Sequence, residues 1–388
     1  MIYLDNNATT QIHPEVLDAM LPFLTESWGN PSAAYSFGKS SKRAIDTARE
    51  QVAALIEAEP SEIVFTSCGT ESITTALNSA RQCFPDRRRI VTTTVEHSAT
   101  KKPCTEFENE GFEIVRTNVD GGGLLDLDEF KSGLKPGETA LASVIWANNE
   151  TGVISPVLEA ATAANEAGSL FHTDAVQAIG KVPVSVKKVP AHLLSLSGHK
   201  LHAQKGIGAL FVSRHIRFRS LLLGGGQEEN RRSGTENVAG IVGLGKAAEL
   251  ATGCDHAQQL LAWRDEFEAK LQAKLPEIEI NGDLEQRLPN TANLYFPGVD
   301  AEALLVLLDE AEIYASPGSA CSTGSLNPSP VLTAMGMSEP RAKSSIRFSF
   351  SRLNSANEVD EAVEAISTAV ARVRSVMNRS SGPVAFHS

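Results

Sequence analysis

Residues 63–81, IVFTSCGTESITTALNSAR, run from an apolar, β-branched stretch through a glycine into a helix-like segment. IVFTS at 63–67 has the composition of a buried strand, and the stretch from Glu71 to Arg81 that of a helix. A strand that passes directly into a helix is the repeating unit of a parallel sheet, because the chain must cross back over the sheet before the next strand begins. Outward from this unit the pattern recurs: IVTTTVEH (90–97), ALASVIWANN (140–149), SLFHTDAV (169–176) and LLSLSGHK (193–200) are further strand candidates. Each ends in polar or reactive residues, and ligands of open α/β sheets sit at the carboxyl ends of strands. The fold class is therefore α/β.

With 388 residues the chain exceeds one ordinary core, and two domains are expected. The pattern changes near residue 255, where Leu260, Trp263, Phe267 and Leu271 recur at helical spacing. We expect a large domain over 15–255 and a smaller α+β domain over 256–388. In the latter, ANLYF and SIRFSF supply strands, and one amphipathic helix carrying Val359, Val363, Ile366, Val370 and Val373 covers them. The final residues, NRSSGPVAFHS, read as frayed.

A net charge of -12 disfavours general attraction to nucleic acid or an anionic membrane. The amino terminus, MIYLDNNATTQ, has neither the basic nor the apolar region of a secretion signal, and no stretch has the apolar length of a membrane span. A cytoplasmic location is expected. The five cysteines, without C-x-x-C spacing and odd in number, fit reduced thiols better than a disulfide framework or a structural zinc site. No metal site is expected.

Between strand and helix, Gly69 permits close backbone approach while Thr70 and the following amides can face an anion; a plain turn capped by Thr70 is the alternative. Lys200, directly after an apolar strand, can form an imine with a carbonyl cofactor. Asp174, at the end of another strand, is the carboxylate that keeps a pyridinium nitrogen protonated, or else a helix cap. His97 can stack on a cofactor ring and move protons, while Gln177 and Asn149 can bond a ring oxygen and neighbouring substrate groups. Cys321 lies in SPGSACSTGSLNPSP, whose glycine, serine and proline content predicts a mobile loop rather than core packing.

Taken in order, LDNNATT, GNPSAAYSFG, FTSCGTES, VEHSA, WANNETGVI, FHTDAVQAIGK, SGHKLHAQKGIGAL, GGGQEENRRSGTEN, SPGSACSTGSLNPS and SIRFSFSR resemble the motifs of the NifS and IscS type of cysteine desulfurase, from about Tyr3 to Arg352. The resemblance implies the pyridoxal-phosphate-dependent transferase fold of type I and a homodimer, with residues 1–14 packing on the small domain. Lys200 would be the Schiff-base lysine, Asp174 the partner of the pyridinium and His97 the stacked residue. Gln177 and Asn149 would surround the phenolic oxygen. Gly69, Thr70, Ser197 and His199 would hold the phosphate together with Thr235 from the other subunit, and Arg347 would pair with the substrate carboxylate. The implied reaction takes sulfur from L-cysteine, leaving alanine and a persulfide on Cys321 for a sulfur-acceptor protein such as an iron–sulfur scaffold. A selenocysteine lyase, another class-V aminotransferase or a non-catalytic cofactor-bound scaffold would keep the cofactor residues without needing that thiol. The chain departs from the motifs at Cys68, in the phosphate turn, and at Pro317 and Pro330, which flank the cysteine loop and are expected to stiffen it.

Overall fold

The computed structural model describes residues 1–317 and 328–380, so Cys321 and the loop expected around it lie outside the described residues. The chain divides into two units. The larger comprises Thr9–Asn149 and Val153–Asp255; the smaller comprises Met1–Ala8, Glu150–Gly152 and the residues from His256 onward.

The larger unit is built on a seven-stranded sheet in the order Ile63–Thr66, Gly208–Val212, Leu193–Ser197, Leu170–Asp174, Thr139–Ile145, Arg89–Thr93, Glu113–Thr117. Only Gly208–Val212 runs antiparallel to its neighbours. Apart from the edge strand Glu113–Thr117, every strand residue is buried. Burial on both faces explains why these strands appear in the sequence as continuous apolar runs rather than alternating ones. The helix Gly69–Cys83 turns Ile73, Ala76, Leu77 and Ala80, one helical stripe, into a core shared with Val64, Ile90, Leu141, Leu193 and Leu210.

Register decides where the strands end. Thr66 and Ser197 are both paired with Gly208, and Ile145 is paired with Asp174. The residues that follow these strands therefore emerge along one edge of the sheet. Residues 9–14, expected with the small domain, belong to the larger unit instead: Thr10 N donates to His199 O (2.9 Å) and His13 N to His202 O (3.0 Å). The Thr10 side chain adds to them, its Oγ1 accepting from His202 N at 2.9 Å, but the partners lie far along the chain and no local sequence pattern announces them.

In the smaller unit an antiparallel sheet of Ser345–Ser349, Thr291–Tyr295 and Glu279–Ile280 carries the core. The sequence anticipates one covering helix; two others join Ala356–Ser380 in the same cluster. Trp263, Phe267 and Leu271 come from Ala257–Lys274, Leu304 and Leu308 from Ala301–Glu310, and Val359, Val363, Ile366 and Val370 from Ala356–Ser380. The last helix continues through Asn378–Ser380, so these three residues are helical rather than frayed, and residues 381–388 lie outside the described residues.

Phe267 is fully buried, its ring centroid 5.2 Å from that of Phe348 and 5.4 Å from that of Phe350. Phe267→Ala should lower unfolding stability by about 3–5 kcal/mol through lost burial and a residual cavity. Denaturant unfolding followed by far-ultraviolet circular dichroism checks this; a loss below about 1 kcal/mol would mean that the cluster closes around the gap.

Candidate active site

The junction between Ile63–Thr66 and the helix Gly69–Cys83 is unusually close to its neighbours. A Cβ on Gly69 would lie 2.9 Å from Val176 Cγ2, so only glycine lets the helix begin here without displacing Val176, with Ser197 Cβ alongside at 3.4 Å. Thr70 does not cap this helix: the cap position belongs to Cys68, whose side chain makes no capping bond, and Thr70 stays exposed in the first turn. Beside the turn, Ser197 Oγ is buried and has no hydrogen-bond partner among the described residues. A buried hydroxyl left unpaired costs about 1–3 kcal/mol, and a helix amino terminus attracts negative charge. An anion such as a phosphate meets both demands. Glu71 would oppose one; burial disfavours its charge, yet hydrogen bonds from Arg232 (2.9 Å) and Ser67 N (2.8 Å) hold its carboxyl below the usual range, and the Arg232 charge offsets its own.

At the end of the adjacent strand, Asp174 is 3% exposed and accepts a bond from Val176 N at 3.0 Å, a local turn rather than a helix cap. Burial pushes its pKa up to about 6, against the pull of that bond and of the Lys200 charge. A carboxylate held so uncomfortably is stabilised by a cation placed against it, which is what a protonated ring nitrogen provides. Lys200 is half-buried at the close of the turn Gly198–Lys200. Its charge is felt at Asp174, at His97 and at His199, which brings four of the expected residues into one electrostatic neighbourhood.

His97 begins the helix Ser98–Asn109, its Nδ1 accepting from Ala99 N at 3.1 Å. That bond leaves the proton of the neutral ring on Nε2. Burial, then the Lys200 and Lys101 charges, lower its pKa to about 4, so near neutral pH it presents an uncharged face suited to stacking. His199 is lowered to about 4 by the same combination of burial and nearby lysines, and its Nδ1 lies 3.2 Å from Thr9 Oγ1. Gln177 is buried in the turn after Asp174. Asn149 is half-buried beyond the strand Thr139–Ile145, next to Asn148, whose N donates to Val153 O (2.8 Å).

Two further expected residues lie on other elements. Thr235 is exposed in the segment between the turn Gln227–Asn230 and the helix Val238–Ala251. Arg347 belongs to the smaller unit, 1% exposed, with its Nη2 2.5 Å from Asp5 Oδ1 and its backbone N bonded to Ser316 O at 2.8 Å. Pro317 follows Ser316 directly and is exposed. Pro330 occupies the first turn of the helix Pro330–Ala334, where its fixed φ is helical already, rather than stiffening a loop. The sequence reading passed over Glu96 and Lys181. Glu96 Oε1 accepts from Thr93 Oγ1 (2.9 Å) and Ile145 N (2.8 Å), and burial raises its pKa to about 8. Lys181 Nζ donates to Gln177 Oε1 at 2.7 Å. Its spacing of one helical turn from Gln177 was the available signal.

The aminotransferase class-V family model matches residues 2–362. A cysteine desulfurase from Trichormus azollae is 49% identical over 381 residues, covering 97% of this chain and 94% of its own. The cysteine desulfurase NifS of Azotobacter vinelandii is 48% identical over 378 residues, with the same coverage of 97% and 94%. Among solved structures, a NifS-like protein superposes with a TM-score of 0.88 at 36% identity, covering 96% of this chain and 99% of that one.

The position of Asp174 has a consequence for stability. Its folded pKa of about 6 lies above the ordinary 3.8, so between those values the folded protein binds more protons than the unfolded chain, and stability falls as pH rises. Asp174→Asn removes this loss. In the cofactor-free protein the stability of the variant relative to the parent should therefore rise from pH 4 to pH 6 and level off above it, by on the order of 3 kcal/mol. Urea unfolding at pH 4, 6 and 8 measures the difference; one that does not change with pH would mean that the carboxyl is solvated.

Proposed function

The chain belongs to the class-V aminotransferase family, in which it acts on cysteine as a pyridoxal-phosphate-dependent desulfurase, and from that premise we propose that Lys200 carries the cofactor and Cys321 receives the sulfur. The observation that carries the reading is the charge of Lys200 acting on both Asp174 and His97 beside a glycine-lined helix terminus and an unpaired buried hydroxyl. When bound, pyridoxal phosphate supplies an electron sink that lets the bond between the α-carbon and its hydrogen break.

Each residue then has a stated task. Gly69, Thr70, Ser197 and His199 hold the phosphate, joined by Thr235 from a second subunit, so cofactor retention would depend on a homodimer. Asp174 keeps the proton on the ring nitrogen, and Gln177 and Asn149 meet the ring oxygen. Arg347 takes the substrate carboxylate, a task suited to the planar fork of its guanidinium. Lys200 Nζ removes the α-proton and returns it to the carbon skeleton. Cys321 Sγ, as thiolate, attacks the substrate sulfur. A sulfur–sulfur bond forms, the carbon–sulfur bond breaks with its electron pair going to carbon, and protonation there yields alanine while Cys321 keeps the persulfide. His97 Nε2 carries protons for the thiol steps, its basicity restored by the negative charge of phosphate and substrate.

The persulfide would pass to an acceptor protein of the iron–sulfur scaffold kind. A cytoplasmic setting fits free cysteines at Cys68, Cys83, Cys104 and Cys254. No helix among the described residues is long and apolar enough to cross a membrane.

A single turnover of Cys321→Ser with cysteine tests the reading, followed by cofactor absorbance, protein mass and alanine release. Cofactor absorbance should still respond to cysteine, whereas alanine release should fall at least 100-fold, on the order expected when a thiolate nucleophile is lost. Lys200→Ala should retain cofactor only non-covalently, with no linkage to fix by borohydride. Alanine released at the parental rate by the serine variant, with added sulfur on another cysteine, would remove Cys321 from the reaction.

A further inference from the structure

Lys181 is 7% exposed and Gln177 is 4% exposed, and the lysine's Nζ donates to Gln177 Oε1 over 2.7 Å. A buried ammonium is expensive, so its position asks for a reason beyond packing. The two ends of a carboxamide have nearly the same shape and opposite hydrogen-bonding character. An ammonium can only donate. Its presence on one end therefore identifies that end as oxygen and turns the NH2 end away from it.

The backbone makes this pairing hard to avoid. Ala178 N and Ile179 N both donate to Ala175 O at 3.0 Å, and Lys181 N and Val182 N both donate to Ala178 O at 3.1 Å, so successive tight turns bring residue 181 back beside residue 177. Gly180, with φ +70, reverses the chain just before the lysine, and a Cβ there would lie 2.4 Å from Leu201 Cδ1. The turn at Gly180 is thus seated against Leu201, the residue that follows Lys200.

We propose that Lys181 is a positioning residue, which locks the Gln177 carboxamide so that its NH2 end is the donor offered to the cofactor's ring oxygen. This rests on the role given above to Gln177. With the amide reversed, its carbonyl oxygen would face an oxygen that also accepts, and an attractive contact would become a repulsive one. The lysine charge is also felt at His199, together with those of Lys200 and Lys205, so orientation and charge must be separated.

A double-mutant cycle on the resting holoenzyme separates them, read as the pH midpoint of the cofactor's visible absorption band without substrate. Gln177→Ala should raise the midpoint by about one pH unit, because an oxygen that loses its donor holds the proton it shares with the Schiff-base nitrogen more tightly. Lys181→Met should raise it to a similar extent in the parent and not at all in the Gln177→Ala background. Lys181→Arg, which keeps a donor, should stay near the parent. If Lys181→Met does not fold, Lys181→Gln is put through the same two backgrounds. An equal shift in both backgrounds would mean that the lysine acts through its charge, and no shift while Gln177→Ala moves the midpoint would mean that it positions nothing. Either result overturns the inference while leaving the role of Gln177 intact. A Gln177→Ala midpoint equal to the parent's would overturn that role and the inference with it.

Discussion

A carboxylate buried at the carboxyl end of a central strand is the constraint around which the larger unit is arranged. Asp174 receives one amide bond, from Val176 N, and otherwise lies where burial raises its pKa to about 6. One neutral hydrogen bond does not offset that desolvation, and the charge of Lys200 only partly does so. The site is thus built at a cost in stability, which the ring nitrogen proposed to meet Asp174 would repay on binding. In that proposal the contact that relieves the protein would also stabilise the cofactor as an electron sink.

The parallel sheet makes this arrangement possible. Strands buried on both faces expose chemistry only where they end, and their register brings Thr66, Ile145, Asp174 and Ser197 to a common edge. The segments beyond them carry Gly69, Asn149, Gln177 and Lys200. Glycine at position 69 lets a helix terminus close in on Val176 beside Ser197, whose hydroxyl lacks a partner among the described residues. The charge-seeking groups therefore have distinct demands: an anion at the helix, a cation at Asp174, and an electrophilic carbon near Lys200.

Much of this was legible in the sequence because burial on two faces writes a continuous apolar run, and reactive residues directly after such runs are conspicuous. Lys200, Asp174 and His97 were singled out in this way, and the structure sets their charges close enough to act on one another. The reversed direction of Gly208–Val212 leaves no local trace, since a buried strand has the same composition either way. Residues 9–14 are tied to the larger unit by bonds to His199 and His202, partners too distant along the chain for any local pattern to report. Helix Ala257–Lys274 showed its spacing but not its partner, and so marked a boundary when it also covers a sheet. Lys181 escaped notice because lysine is ordinarily a surface residue; only its burial against Gln177 gives it significance.

If Asp174 is what makes the cofactor an electron sink, the ring nitrogen must be protonated in the resting enzyme. Nitrogen-15 nuclear magnetic resonance of holoenzyme loaded with ring-labelled pyridoxal phosphate, recorded at pH 8, measures this directly. A shift in the pyridinium range, lost in Asp174→Asn, is expected. A shift typical of an unprotonated pyridine in the parent enzyme would contradict the central role given to this carboxylate.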